Sequence, residues 1–216
     1  MKFTNKSFAL LQGLAANNNS DWYREHKDEI AKYLLEPFAA VLEAATEEFK
    51  NRAIDLTGSA DTMLRMLKDL RRNDPAEPFR TSVGGLMNPG GDKYEDAGNA
   101  YLQLAADGGW MGCGHWRASA TRLEPVRRWI VDETDAYERY LAEIEEAGLE
   151  IAARDPLKTM PRGFADYEGH KYADHVRART LIAKRPLTKA CWLDGSVVGE
   201  FVDRIEIAAP LIFRSA

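Results

Sequence analysis

Hydrophobic positions recur at helical spacing toward both ends of the chain and in short runs through its middle. Phe8, Leu11, Leu14 and Ala15 share one face of a helix over residues 7–16. Three asparagines, 17 to 19, stop it. Ser20 then reads as an N-cap, with Tyr23 where a capping box would place Glu, and a second helix follows over 21–35 with Trp22, Ile30 and Tyr33 inward. Pro37 suits the first turn of a third helix through Phe38, Val41, Leu42, Ala45 and Phe49. Between residues 62 and 116 the pattern changes. Runs 62–67, 78–87, 100–105 and 110–116, bounded by Gly, Pro, Asn and Asp, read as strands. Asp107-Gly108-Gly109 between two of them reads as a hairpin turn, since glycine tolerates positive φ.

Helical spacing returns with Leu123, Val126, Trp129 and Ile130, in a helix whose first turn suits Pro125, and continues over 134–147 with Tyr137, Leu141 and Ile144. Residues 155–169 read as irregular, 180–183 as a strand and 194–212 as a final amphipathic helix. Helices, then consecutive strands, then helices argue for α+β and against a doubly wound sheet. The expectation is one domain over residues 1–216, a largely antiparallel sheet with helices packed mainly on one face.

Composition narrows the class without naming a function. Hydrophobic residues are 45% and charged residues 29% of 216, the proportions of a globular chain. No apolar run approaches the ~20 residues that span a bilayer. No small-residue cleavage site follows the opening apolar stretch, and a cytoplasmic location is expected. Cys113 and Cys191 lie far apart and form no disulfide framework. The net charge is -5 but unevenly spread: residues 132–150 carry net -7, whereas 62–82, 108–130 and 154–189 carry +2, +3 and +5. An acidic chain with arginine-rich stretches is a poor general nucleic-acid binder, yet suits one anion in a local basic pocket.

The stretch Leu64 to Thr81 holds the densest candidate chemistry. In a strand from Met63 to Asp69, Arg65, Leu67 and Asp69 share a face opposite Leu64, Met66 and Lys68. Arg71 extends the polar row, and Arg80 can return to it. Asp69 among arginines would stay ionised and hold their planar forks, leaving donors for a ligand. The plain alternative is a salt-bridge network bracing a loop. Trp110 could stack on a flat ligand as readily as pack. His170 and His175 are five apart, a poor spacing for a helical metal pair, and no metal site or cofactor is expected. Cys113 lacks a partner histidine, and the glycines around it lack the lysine and helix start of a phosphate loop.

The same stretch resembles the signature of a bacterial and fungal family, the domain of unknown function numbered twenty-four sixty-one, which reads roughly F-R-x-x-R-D-x-R-F-S-x-D-K-x-P-Y-K-T. Arg65, Asp69, Arg71, Pro78 and Thr81 match. Lys68 stands for Arg, Phe79 for Tyr and Arg80 for Lys. Arg72 and Ala76 depart from the pattern, which has Phe and Lys there. The Leu11 helix with residues 17–23 resembles the family's L-x-x-N-N-x-x-W-F opening. Residues 110–114 with Arg127 resemble its G-G-G-x-W…R region, and Pro161-Arg162-Gly163-Phe164 its P-R-G-Y/F turn. The resemblance covers most of the chain and implies one α+β domain with its site here, but no reaction.

Two functions compete. In the first, Arg65, Asp69, Arg71, Arg80, Trp110 and Arg127 hold a small phosphate or carboxylate, with or without catalysis. In the second, the chain is a non-catalytic protein-interaction module using its acidic 132–150 helix. Nucleic-acid binding through 154–189 ranks last.

Overall fold

A computed structural model describes residues 2–69, 71, 74–94 and 98–214. The fold is α+β, as the order of elements implied, with a five-stranded antiparallel sheet in the order β1-β2-β3-β5-β4. The strands are β1 (Ser82–Met87), β2 (Asn99–Ala105), β3 (Trp110–His115), β4 (Glu150–Arg154) and β5 (Thr180–Pro186). Among the described residues, no helix is long and apolar enough to cross a membrane. The chain divides into two compact units. One comprises Met1–Lys93, Tyr101–Met111 and Pro186–Val202, the other Tyr94–Ala100, Gly112–Arg185 and Asp203–Ala216.

The first unit opens with α1 (Asn5–Ala16), which buries Phe8, Leu11 and Leu14 as its spacing required. The N-cap of α2 (Ser20–Glu25) is Asn19, not Ser20: the Asn19 side chain accepts from the Trp22 N–H at 2.9 Å. The helix expected over 21–35 is broken at His26 (φ -100, ψ 9) into α2 and α3 (Lys27–Ile30), and it widens to a π-helical turn over Ala31–Leu35 before α4 (Glu36–Asn51). Pro37, in the first turn of α4, has no N–H to return to the Tyr33 carbonyl. The buried Ser7 hydroxyl donates to that carbonyl instead, at 2.8 Å, so the orphaned acceptor is satisfied from α1.

Inward residues of β1 and β2, Val83, Met87, Leu102 and Leu104, are buried. A side chain at Gly85 would meet Leu42 and Phe38, which places α4 on that face of β1. The run 62–67 is not a continuous strand. Its start is a 3-10 turn over Ala60–Thr62, and only two isolated bridges follow, Met63 to Gly85 and Leu67 to Phe79. Two extra residues on the returning side shift the register between the bridges, which interrupts the ladder. The β2–β3 turn is the expected one, with Gly108 and Gly109 at φ +120 and +91 and the Asp107 carboxylate accepting from the Gly109 N–H. Trp192 in α8 (Lys189–Asp194), fully buried, donates its indole N–H to the Gly108 carbonyl at 2.8 Å.

The second unit contains α5 (Ala120–Asp132), α6 (Thr134–Glu146) and α7 (Ala173–Arg177) with β4 and β5. Pro125 lies inside α5 rather than in its first turn, because Ser119, accepting from the Arg122 N–H, starts the helix earlier. Strand β4, absent from the sequence-based assignment, pairs antiparallel with β5, Glu150 opposite Lys184 and Arg154 opposite Thr180. Trp129 meets Tyr137 edge-on and Tyr140 at a tilt, ring centres 5.0 Å apart in each pair, and the two tyrosine rings stack with centres 6.1 Å apart. The helix expected over 194–212 is interrupted. Gly195, at φ +86, ends α8, and Pro210 opens the short α10 (Pro210–Phe213) after α9 (Val197–Ala208).

Candidate functional site

The site begins with a clamp between segments 61 residues apart. Asn18 donates its amide N–H to the Phe79 carbonyl at 2.9 Å, and its side-chain oxygen accepts from the Phe79 N–H at 2.9 Å. One side chain thus does to Phe79 what a neighbouring strand would. The Tyr23 ring lies flat on the Phe79 ring, centres 4.0 Å apart and planes within 3°. Opposite, Arg80 N–H donates to the Met66 carbonyl and Lys68 N–H to the Pro78 carbonyl. Phe79 is therefore held on both sides, and the next residue, Arg80, leaves a fixed backbone.

Arg80 is exposed, and its guanidinium has no hydrogen-bond or ionic partner among the described residues. Its charge acts on Tyr101 in β2. Burial raises the Tyr101 phenol above its ordinary pKa, and the hydrogen bond from Gln103 together with the Arg80 charge pulls the other way. Gln103 donates to the Tyr101 oxygen at 3.2 Å and to the Ser82 hydroxyl at 3.1 Å. Trp110 completes the row, its ring centre 4.7 Å from that of Tyr101 and tilted by 47°. Tyr101 and Gln103 alternate with buried neighbours along β2, and Ser82 and Trp110, half-exposed, open β1 and β3, so the four form the half-exposed face of β1–β3.

Gly84 makes room for this arrangement. A Cβ there would stand 2.4 Å from the Tyr101 hydroxyl and 3.0 Å from its Cζ. Gly84→Ala is expected to push the phenol aside, break its contact with Gln103 and cost about 1 kcal/mol. Urea unfolding checks the cost. An unchanged midpoint together with an unchanged Tyr101 titration would contradict it.

The sequence-based candidates separate into two pairs and two single residues. Arg80 and Trp110 meet around Tyr101. Asp69 and Arg71 pair with each other on the surface: Arg71 Nε and Nη2 donate to the two Asp69 oxygens at 3.0 and 3.3 Å, and the Arg71 side chain is 89% exposed. Arg65 is exposed, and its guanidinium has no partner among the described residues. Arg127 belongs to the other unit and is buried. Its Nε donates to the Val176 carbonyl at 2.8 Å and its Nη2 to that of Ala178 at 3.2 Å, and burial holds its pKa below that of an ordinary arginine. Leu70, Arg72 and Asn73 lie outside the described residues. Ser82, Tyr101 and Gln103 were missed, although the strict alternation of residues 100–105 marks 101 and 103 as one face.

Other reactive side chains are engaged. Cys113 is fully buried, and burial pushes its thiol well above the ordinary range. His115 is fully buried, with Nε2 3.0 Å from the Leu211 carbonyl. His170 Nδ1 accepts from the Tyr172 N–H, and Nε2 lies 3.0 Å from the Thr134 hydroxyl. His175 Nδ1 is 2.7 Å from the Tyr137 hydroxyl. Among the described residues, no three His, Cys, Asp or Glu side chains converge as metal ligands.

A model of a conserved hypothetical protein family, DUF2461, matches residues 6–213. The chain belongs to this family. No curated protein and no solved structure matches it. In this DUF2461 member the two stretches that carried the resemblance, residues 17–23 and 64–81, meet through Asn18 and Tyr23 on Phe79.

Proposed function

We propose that the chain binds a small anion, a phosphate or carboxylate, on the half-exposed face of β1–β3. The observation that carries this reading is Arg80, an exposed cation with no ionic partner among the described residues, beside the hydroxyls of Tyr101 and Ser82, whose oxygens Gln103 holds and whose protons it leaves to be donated. An oxyanion beside a guanidinium and hydroxyl donors gains charge-assisted hydrogen bonds. Trp110 and Tyr101 offer aromatic surface to the remainder of the ligand. Arg71, with one edge held by Asp69, and Arg65 extend the positive field through which the anion arrives. The reading is of a binding site.

A thermal-shift panel of phosphate, nucleotides, sugar phosphates and carboxylates tests it. A ligand at about 100 times its dissociation constant adds about 2.7 kcal/mol, a rise of about 5 to 10 °C for a chain of this size. Arg80→Ala is expected to abolish the rise while changing the ligand-free stability by under about 0.5 kcal/mol, as exposed substitutions do. A rise that survives Arg80→Ala, or no rise with any anion, would sink the proposal.

A further inference from the structure

The corner where α5 ends and α6 begins presents a second, unrelated chemistry. Pro125, Arg128, Trp129, Asp132, Glu133 and Arg214 line an open cavity of about 390 Å3. Trp129 is the aromatic residue of this lining. It is 4% exposed, and its indole N–H has no hydrogen-bond partner among the described residues. The Arg214 guanidinium carbon sits 4.7 Å from the Trp129 ring centre, and its Nη1 donates to both Glu133 oxygens at 3.1 Å. Arg128 does not compete for this place, because its own guanidinium lies over the Phe164 ring at 4.7 Å. Asp132, which accepts from the Tyr167 hydroxyl, adds a second negative charge to the rim.

An aromatic face with a carboxylate at its edge is the arrangement that holds a guanidinium. The ring attracts the cation face-on, and the carboxylate takes its N–H groups in plane. Here that arrangement already holds one. The Arg214–Glu133 pair is nevertheless open to water, with side chains 43% and 54% exposed, and an ion pair so exposed is weak. Another guanidinium can take the place of Arg214 without unfolding anything.

We propose that this corner is a recognition site for an arginine side chain of a partner polypeptide, and that Arg214 is its competing occupant within the chain. The partner is one whose arginine stands clear of acidic neighbours, since Asp132, Glu133 and Asp135 would repel them. Arg214 sets the threshold. An internal ligand that fills the site about nine-tenths of the time weakens an external one about tenfold.

The test uses the full chain and blocked arginine, Nα-acetyl-arginine amide, followed by calorimetry and by the indole N–H resonance of Trp129. Arg214→Ala is expected to bind the probe about tenfold more tightly than the unchanged chain, with the Trp129 resonance moving on titration. Adding Glu133→Gln to Arg214→Ala should return the affinity to that of the unchanged chain or below. Both substituted side chains are exposed, so cooperative melting of each variant verifies that the fold persists. Equal affinity with and without Arg214, no binding by Arg214→Ala, or equally tight binding of Nα-acetyl-lysine amide overturns the proposal.

Discussion

Replacing Arg127 with alanine is expected to destabilise the chain by about 3 to 5 kcal/mol, because two buried carbonyls lose a charged donor. Hydrogen bonds to a charged group contribute about 1.5 to 3 kcal/mol each, and a buried acceptor left alone keeps its full desolvation cost. Val176 and Ala178 are 0% and 2% exposed, so water does not readily replace the guanidinium. Both acceptors lie at the end of α7, where carbonyls have no helical partner and the helix dipole is negative. Arg127→Lys should recover only part of the loss, since an ammonium cannot reproduce the planar fork that reaches both oxygens. Urea midpoints measure the cost. The alternative, that Arg127 holds the anion with the other arginines, predicts a wild-type midpoint with anion binding gone, and that outcome would remove the bracing role.

The contrast between Arg127 and Arg80 shows what spacing can and cannot convey. Both are arginines close in sequence to an aromatic residue, Phe79 beside Arg80 and Trp129 two positions after Arg127. What separates them is whether backbone carbonyls from elsewhere in the chain meet the guanidinium. The Val176 and Ala178 carbonyls lie 49 and 51 residues from Arg127 and leave no local signature. Local physics was legible: the apolar period of α1, α4 and α6, the alternation of β2, the glycine turn before β3. The missed elements were those decided by a distant partner or a competing cap. Strand β4, with an exposed or half-exposed Glu-Ile-Ala-Ala-Arg, has little apolar alternation and exists by pairing with β5. The break at His26 and the π turn before Pro37 belong to a segment whose apolar spacing alone reads as one helix. Ser7 on the Tyr33 carbonyl makes that irregularity tolerable, from 26 residues away.

Asn18→Ala is expected to show that the candidate site is held together at long range. Two hydrogen bonds to the Phe79 backbone are lost at once. At about 0.5 to 1.5 kcal/mol each, with an added penalty for a carbonyl and an N–H left in a half-buried place, the cost is about 2 to 3 kcal/mol. The flat contact of Tyr23 on Phe79, a kind worth about 0.5 to 1.5 kcal/mol, loosens with it. The functional effect should exceed what that destabilisation alone produces. Arg80 follows Phe79 directly, and a guanidinium on a wandering backbone loses the geometry that its donors share with Tyr101 and Gln103. At a temperature where Asn18→Ala remains folded, its anion affinity should fall about tenfold or more. In a double-mutant cycle with Arg80→Ala the second loss should largely vanish, because both substitutions act through one contact. Asn18→Asp discriminates further. It keeps the acceptor for the Phe79 N–H but sets a carboxylate against the Phe79 carbonyl, so it should be no more stable than Asn18→Ala. Additive losses in the cycle, or full anion affinity in folded Asn18→Ala, would mean that Asn18 stabilises the helices without positioning Arg80.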